Sequence, residues 1–240
     1  MDKIFEKDYF LRTLDFDKFM NLKPSSVLDL FQDVAGYHTR QVSRDRFSME
    51  KDHLYWVLVS VKVGFENNFD PFKHVTVRTW PIKSNGVRYY RNFLLLSDEG
   101  SVIAKAQSCW AVVDALTKHI AVNVLTFPEG YEYCEEETFD GKLTRLGDFE
   151  AEKTLMIFKP EYTDIDYNGH VNNAKYADFI LNALDHSENK KIKTFQIDFH
   201  KEIKQEDEIT LLSRAEGDCL KLKGVDGGGA VRFVSEITYE

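Results

Sequence analysis

At 240 residues the chain has room for one large domain or two of about 120 residues each. Its 43% hydrophobic and 30% charged content, with little Pro or Gly, is that of a globular chain and not a disordered one. A net charge of −9 argues against general nucleic-acid binding. No apolar run approaches the roughly 20 residues that span a bilayer, and the charged start Met-Asp-Lys-Ile-Phe-Glu-Lys-Asp lacks a signal-peptide core. Cys109, Cys134 and Cys219, far apart and odd in number, suggest neither a disulfide framework nor a zinc site, and point to a reducing, cytoplasmic setting.

In chain order, the first periodic stripe is Val27, Leu30, Phe31, Val34 and Ala35, which predicts a helix near 24–38 after a short strand. Strand-like runs follow at 55–65, 74–80, 87–97 and 101–113, the last two joined by a turn at Asp98-Glu99-Gly100. A polar stretch at 128–148, containing Glu135-Glu136-Glu137, reads as a solvated linker between domains at 1–127 and 149–240. Tyr176, Phe179, Ile180, Ala183 and Leu184 form a second stripe, a helix near 173–186 that also follows a short strand. Further strands are expected at 193–200, 208–216, 219–225 and 230–238, with turns at Gly217-Asp218 and Asp226-Gly227-Gly228-Gly229.

The two stripes are the same stripe, displaced by 149 residues, and Asp15-Phe16-Asp17 precedes the first as Asp164-Ile165-Asp166 precedes the second. Both matches in one register mark an internal duplication. A strand, a long helix and an antiparallel meander, twice over, is the order of a tandem hotdog, an α+β fold in which each sheet wraps a central helix. The copies diverge where chemistry would sit. Asn168, Gly169 and His170 in the second copy face Phe19, Met20 and Asn21 in the first.

The second copy's turn, Asp-Ile-Asp-Tyr-Asn-Gly-His-Val-Asn-Asn at 164–173, holds more hydrogen-bonding and proton-transfer capacity than a helix cap requires. Gly169 permits a left-handed turn, and the helix N-terminus beyond favours negative charge. Cys109 lies in an apolar strand without a local base and reads as a buried structural thiol. There is no Gly-x-Ser-x-Gly elbow and no metal-ligand spacing. Neither a metal nor another cofactor is expected. His38, His53, His74, His119 and His186 read as satisfied surface or core residues.

Several segments resemble the acyl–acyl carrier protein thioesterases of bacteria and plants. They are Leu22-Lys23-Pro24-Ser25-Ser26-Val27-Leu28, Phe31-Gln32-Asp33-Val34-Ala35-Gly36, Tyr55-Trp56-Val57-Leu58, Arg78-Thr79-Trp80-Pro81, Ser108 to Asp114, and, most specifically, Asp164 to Tyr176. The resemblance implies a catalytic second hotdog with an Asp-x-Asn-x-His signature, here Asp166, Asn168 and His170, and a downstream acid. Glu202, 32 residues past His170, is the match, with Asp198, Glu206 and Asp207 as neighbouring alternatives. It also implies a thioester substrate on an acidic carrier protein.

Hydrolysis requires an activated water and a stabilised oxyanion more than a protonated leaving group. Glu202 is assigned as base, with His170 polarising or sharing the proton. Asn168 orients the water or polarises the carbonyl, and Asp166 orients Asn168 or His170. These roles are interchangeable in the sequence, and a covalent acyl-carboxylate route is chemically allowed. Backbone N–H groups at Val171, Asn172 and Asn173 are expected to hold the oxyanion. Phe19, Trp56 and Trp80 are expected to line the acyl chain. Candidate carrier-docking clusters are Lys190, Lys191 and Lys193; Lys201 and Lys204; and Arg88 with Arg91. Coenzyme A would use similar groups. An acyl-coenzyme A thioesterase, a hotdog dehydratase and a non-catalytic acyl-binding protein are the competing readings. The chain is expected to act without nucleic acid or membrane, as monomer or homodimer.

Overall fold

The computed structural model describes residues 2–66, 73–124 and 131–240. They divide into two compact units: the residues up to Arg12 with 29–61 and 66–143, and residues 13–28 and 62–65 with 144–240. The turn at 13–28, expected in an N-terminal domain, thus belongs to the second unit, where the Asn21 amide donates to Asn189 Oδ1 at 2.7 Å.

The first unit draws on β1 (Phe5–Phe10), α1 (Pro24–Arg40), α2 (Arg46–Lys51), β2 (Leu54–Phe65), β3 (His74–Pro81), β4 (Tyr89–Ser97) and β5 (Val102–Asp114). Its strands run in the order β1-β3-β4-β5-β2, with the first three pairings antiparallel. α1 opens on Pro24, whose missing N–H costs nothing in a first turn. Its apolar stripe is buried apart from half-buried Leu30, and Phe31 stacks on Phe93 of β4 with centroids 4.8 Å apart. Burying rings of this size stabilises by roughly 1.5–3 kcal/mol each. α2 is an element the apolar periodicity does not reveal, because six residues make less than two turns. It is nucleated by Asp45, whose carboxylate accepts from Phe47 N at 3.1 Å and Ser48 Oγ at 2.8 Å.

In the second unit β6 (Lys153–Phe158), α3 (Lys175–Asn182), β7 (Ile192–Phe199), β8 (Ile209–Glu216), β9 (Cys219–Asp226) and β10 (Val231–Tyr239) give the order β7-β10-β9-β8-β6. Read from its other edge this is the first unit's order, so the duplication extends to topology. α3 packs on the sheet through Phe179 stacked on Phe158 at 4.4 Å, and through Tyr176 set edge-on to Phe199 and Phe233 at 5.0 and 5.3 Å. Gly224 on β9 leaves room for Phe233, whose ring would meet an added Cβ at 2.2 Å. Each unit is a hotdog fold.

Two expectations need correction. The helix predicted over 173–186 ends at Asn182. Asp185 accepts from both Ser187 N and Ser187 Oγ, and the His186 ring bonds back to the Leu181 carbonyl at 2.6 Å, so local side chains take over from the helical ladder. The acidic stretch is not a free tether. Residues 128–130 lie outside the described residues, and the Glu135, Glu136 and Glu137 side chains are exposed as expected. In the first unit, however, the Glu136 carbonyl accepts from Trp80 Nε1 and Asn92 Nδ2, both at 2.9 Å. The buried Thr138 hydroxyl lies 3.0 Å from the Ala106 carbonyl. In the second unit, buried Asp198 accepts from Leu146 N at 2.8 Å. No helix among the described residues is long and apolar enough to cross a membrane.

Candidate active site

The signature turn is a hydrogen-bonded copy of its degenerate counterpart. Asp166 N donates to His170 O at 3.0 Å and Gly169 N to Asp166 O at 3.0 Å. In the first repeat Asp17 N donates to Asn21 O at 2.9 Å and Met20 N to Asp17 O at 3.1 Å. Asn172 N meets Asp164 O as Lys23 N meets Asp15 O, each at 2.9 Å. Both turns are closed by an isolated antiparallel bridge, Ile165 with Val171 and Phe16 with Leu22. Both also need one left-handed residue: Gly169 at φ +81°, and Met20 at φ +65°. An added Cβ at Gly169 meets nothing within 4 Å, so a side chain there costs backbone strain alone. Gly169→Ala is therefore expected to destabilise by about 1–2 kcal/mol. Met20→Gly should relieve a similar strain and lose part of the gain to the freer unfolded chain. Urea unfolding midpoints moving in opposite directions would check both.

Asp166 is committed to Asn168. One carboxylate oxygen accepts from Asn168 N at 2.7 Å and the other from Asn168 Nδ2 at 3.0 Å. That leaves the exposed amide one N–H and its carbonyl oxygen for a ligand or water. His170 is half-buried, and its Nδ1 lies 3.2 Å from the Val171 carbonyl. A carbonyl only accepts, so Nδ1 carries the proton in the neutral ring and Nε2 presents a lone pair.

Glu202 lies in the segment between β7 and β8, with an exposed side chain that forms no hydrogen bond to a described residue. The fold brings its backbone to the turn: Val171 N donates to Ile203 O at 2.8 Å, joining the neighbours of His170 and Glu202. Ile203 N donates to the Tyr176 hydroxyl at 3.2 Å. Of the alternatives to Glu202, Glu206 is exposed and the other two are otherwise engaged. Asp198 is fully buried and holds the Leu146 backbone, and Asp207 accepts from Arg232 Nη2 at 3.4 Å and Lys204 N at 2.9 Å.

The expected oxyanion donors shrink to one. Val171 N is taken by Ile203 and Asn172 N by Asp164, so neither is available. Asn172 Oδ1 accepts from Ala174 N at 2.9 Å, just before α3 opens. Among the described residues only the Asn173 N–H of these three remains without a partner, at the N-terminal end of α3.

Of the expected acyl-lining residues, Trp80 belongs to the core. It is wholly buried with Leu94 and Cys134, and its indole N–H is spent on Glu136. Trp56 is half-buried, edge-on to Tyr89 and Trp110, with its N–H on the Arg44 carbonyl at 2.9 Å. Phe19 is half-buried in the degenerate turn under the Lys18 ammonium, 4.9 Å from the ring centroid. A hollow of about 510 Å3 in the second unit is lined by Asp148, Phe149, Glu150, Ala151, Leu212 and Lys223, none of them a signature residue. Arg91 leaves the basic surface clusters: it is buried, with Nη1 on His38 Nδ1 at 3.0 Å and Thr79 Oγ1 at 3.2 Å. Cys109 is a buried core thiol beside Val59 and Ala111.

Comparison with known proteins gives this arrangement a family. The acyl-ACP thioesterase N-terminal domain matches residues 2–125 and the acyl-ACP thioesterase C-terminal domain residues 148–226. Oleoyl-acyl carrier protein thioesterase 2 of Arabidopsis thaliana is 27% identical over 84% of this chain and 61% of its own length. The palmitoyl-acyl carrier protein thioesterase of the same plant is 24% identical over 89% and 56%. The chain thus spans about three fifths of the curated relatives it matches. Among solved structures, an acyl-ACP thioesterase from Bacteroides thetaiotaomicron shares the fold at a TM-score of 0.91 and 21% identity, covering 99% of this chain and 98% of that one. The 12:0-ACP thioesterase from Umbellularia californica does so at 0.82 and 18%, covering 100% and 98%. With both halves of the chain matched in order, this protein belongs to the acyl-ACP thioesterase family.

Proposed function

We propose that this chain hydrolyses acyl thioesters presented on an acyl carrier protein, releasing free fatty acid and the carrier thiol. The observation that carries the reading is the Val171–Ile203 hydrogen bond, which joins a His-bearing turn to an acid-bearing segment in the one repeat that has both. Glu202 takes a proton from water as the oxygen attacks the thioester carbonyl. His170 Nε2 and the Asn168 carbonyl oxygen are acceptors for the water's other proton, and Asp166 keeps the Asn168 amide in that pose. The Asn173 N–H at the head of α3 meets the developing oxyanion, where a helix N-terminus favours negative charge. The tetrahedral intermediate then expels the thiolate, which needs little protonation to leave. Phe19, in the same unit as the signature turn, is the remaining candidate for contact with the acyl chain.

Carrier recognition is assigned to Lys190, Lys191, Lys193, Lys201 and Lys204, which are exposed and make no ion pair with a described residue. Unpaired ammonium groups on an acidic protein suit an acidic partner. Matched acyl groups on carrier protein and on coenzyme A test this directly. Higher kcat/KM with the carrier is expected, and a preference for the coenzyme would reassign the donor. Stoichiometric acyl binding without free thiol release would instead make the chain a binding protein. A cytoplasmic setting and a monomeric or homodimeric state belong to the same reading, with cell fractionation and sedimentation as their measurements.

A further inference from the structure

We infer that Arg232 and Tyr176 form a clamp that aims Glu202, and that Arg232 is a positioning residue for the hydrolytic site; the inference rests on the proposed role of Glu202. The Glu202 side chain forms no hydrogen bond to a described residue, so what the fold sets is the backbone point from which it projects. That backbone is held at both ends of a single peptide group. Arg232 Nη1 donates to the Glu202 carbonyl at 2.6 Å, and the N–H of the same peptide, on Ile203, donates to the Tyr176 hydroxyl at 3.2 Å. A peptide plane gripped through both its oxygen and its hydrogen has little freedom to rotate, and the Glu202 Cα, which lies in that plane, is held in place as the point from which the side chain projects.

The clamp is itself braced. Arg232 has a side chain only 9% exposed, and its Nε donates to Asp226 Oδ2 at 2.8 Å. Asp226 is anchored by accepting from Gly228 N and Ala230 N at 3.0 and 2.9 Å. Arg232 Nη2 reaches Asp207, which in turn caps Lys204 N, and the Arg232 carbonyl accepts from His200 N at 2.9 Å and Lys201 N at 3.1 Å. One residue of β10 therefore fastens the 200–207 segment on both sides of Glu202. Two carboxylates balance the guanidinium charge, so its main effect on Glu202 is geometric.

Tyr176 does the same from α3. It is 2% exposed, packed edge-on to Phe199 and Phe233, and burial holds its hydroxyl protonated well above the usual range. The first repeat has Val27 at this position, which offers no hydroxyl. The hydroxyl half of the clamp accordingly accompanies the signature and is missing where the signature has decayed.

Steady-state kinetics on an acyl-carrier substrate test the inference with R232M, R232K, Y176F, E202Q and the doubles R232M/E202Q and Y176F/E202Q. A misplaced catalytic group loses on the order of 10- to 100-fold in kcat. R232M and Y176F should show losses in that range with KM nearly unchanged, and R232K should recover part of the rate. In the E202Q background neither change should reduce the remaining rate further, because a residue acting through Glu202 has nothing left to aim. A purely structural role predicts losses that persist in E202Q and track the unfolding midpoint. Should R232M fold poorly, Y176F, which deletes one oxygen, carries the test. Impaired E202Q with fully active R232M and Y176F would overturn the clamp alone. Fully active E202Q would remove the reading of Glu202 and the clamp with it.

Discussion

Glu202→Gln is expected to lower kcat on an acyl-carrier thioester by about 10²–10⁴-fold, the usual contribution of a positioned general base. The substitution is nearly isosteric and lies at an exposed position whose carboxylate forms no hydrogen bond to a described residue. Stability and carrier affinity should therefore change little, and KM should stay near the wild-type value. An interaction made only in the transition state loses kcat and kcat/KM together. His170→Ala and Asn168→Ala should also depress kcat more than they weaken binding, because in the proposed mechanism Nε2 of the first and the free carbonyl of the second act on the attacking water. Changes at Lys190, Lys191 or Lys193 should behave oppositely, raising KM with kcat retained. Their effect should be larger at low salt, since exposed charges are screened as ionic strength rises. Kinetics of these variants at two ionic strengths separate the classes. Full activity in Glu202→Gln would cancel the base assignment. Near-wild-type kcat in both His170→Ala and Asn168→Ala would reduce the signature to a capped turn.

What the linear sequence carries best here is periodicity. Strand ends at Phe65 and Ser97, and the start of the strand at Cys219, fall where alternation and turn residues place them, because those signals are local. The duplication is legible for the same reason. It preserves an aspartate whose backbone N–H closes its own turn on the carbonyl of Asn21 or His170, four residues on. Competition between donors is what the sequence conceals. Val171 and Asn172 look like oxyanion donors until the fold brings Ile203 and Asp164 to their N–H groups. Trp80 looks like a pocket wall until the Glu136 carbonyl, 56 residues on, turns up against its indole N–H. Arg91 shows only as one of a basic pair, and its burial against His38 is a matter of sheet register. Tyr176 stands in the signature segment as an apolar stripe residue, and its hydroxyl acquires a task only when Ile203 arrives. The linker's acidity describes its side chains correctly and says nothing about its carbonyls.

Lowering the pH from about 6.5 to about 4 is expected to cost the fold about 3 kcal/mol through His38 alone, the equivalent of its shift in pKa. The ring is completely buried on α1, stacked on Phe5 at 5.6 Å. Its Nε2 faces the Asp2 carbonyl at 3.0 Å and its Nδ1 faces Arg91 Nη1 at 3.0 Å. The guanidinium can only donate and the carbonyl can only accept, so the ring is neutral with its proton on Nε2. Burial first, and the neighbouring Arg91 charge second, push its pKa down to about 4. Above pH 6.5 the ring is neutral folded or unfolded, and His38 adds no pH dependence. Below that the unfolded chain binds a proton that the native state refuses, so stability falls until about pH 4, where the native ring protonates too. His38→Gln keeps one acceptor for Arg91 and one donor for Asp2 but has no proton to gain. The variant should be less stable than wild type at pH 8, by about 1–2 kcal/mol for an imperfect fit in a packed site. Its deficit should shrink steadily on acidification and reverse by pH 4.5, because only wild type keeps losing. Urea unfolding of both proteins at half-unit steps from pH 8 to 4.5 measures the difference directly, with the carboxylates common to both cancelling. A deficit constant across that range would mean that His38 titrates normally in the fold, and that its contact with Arg91 does not hold the ring neutral.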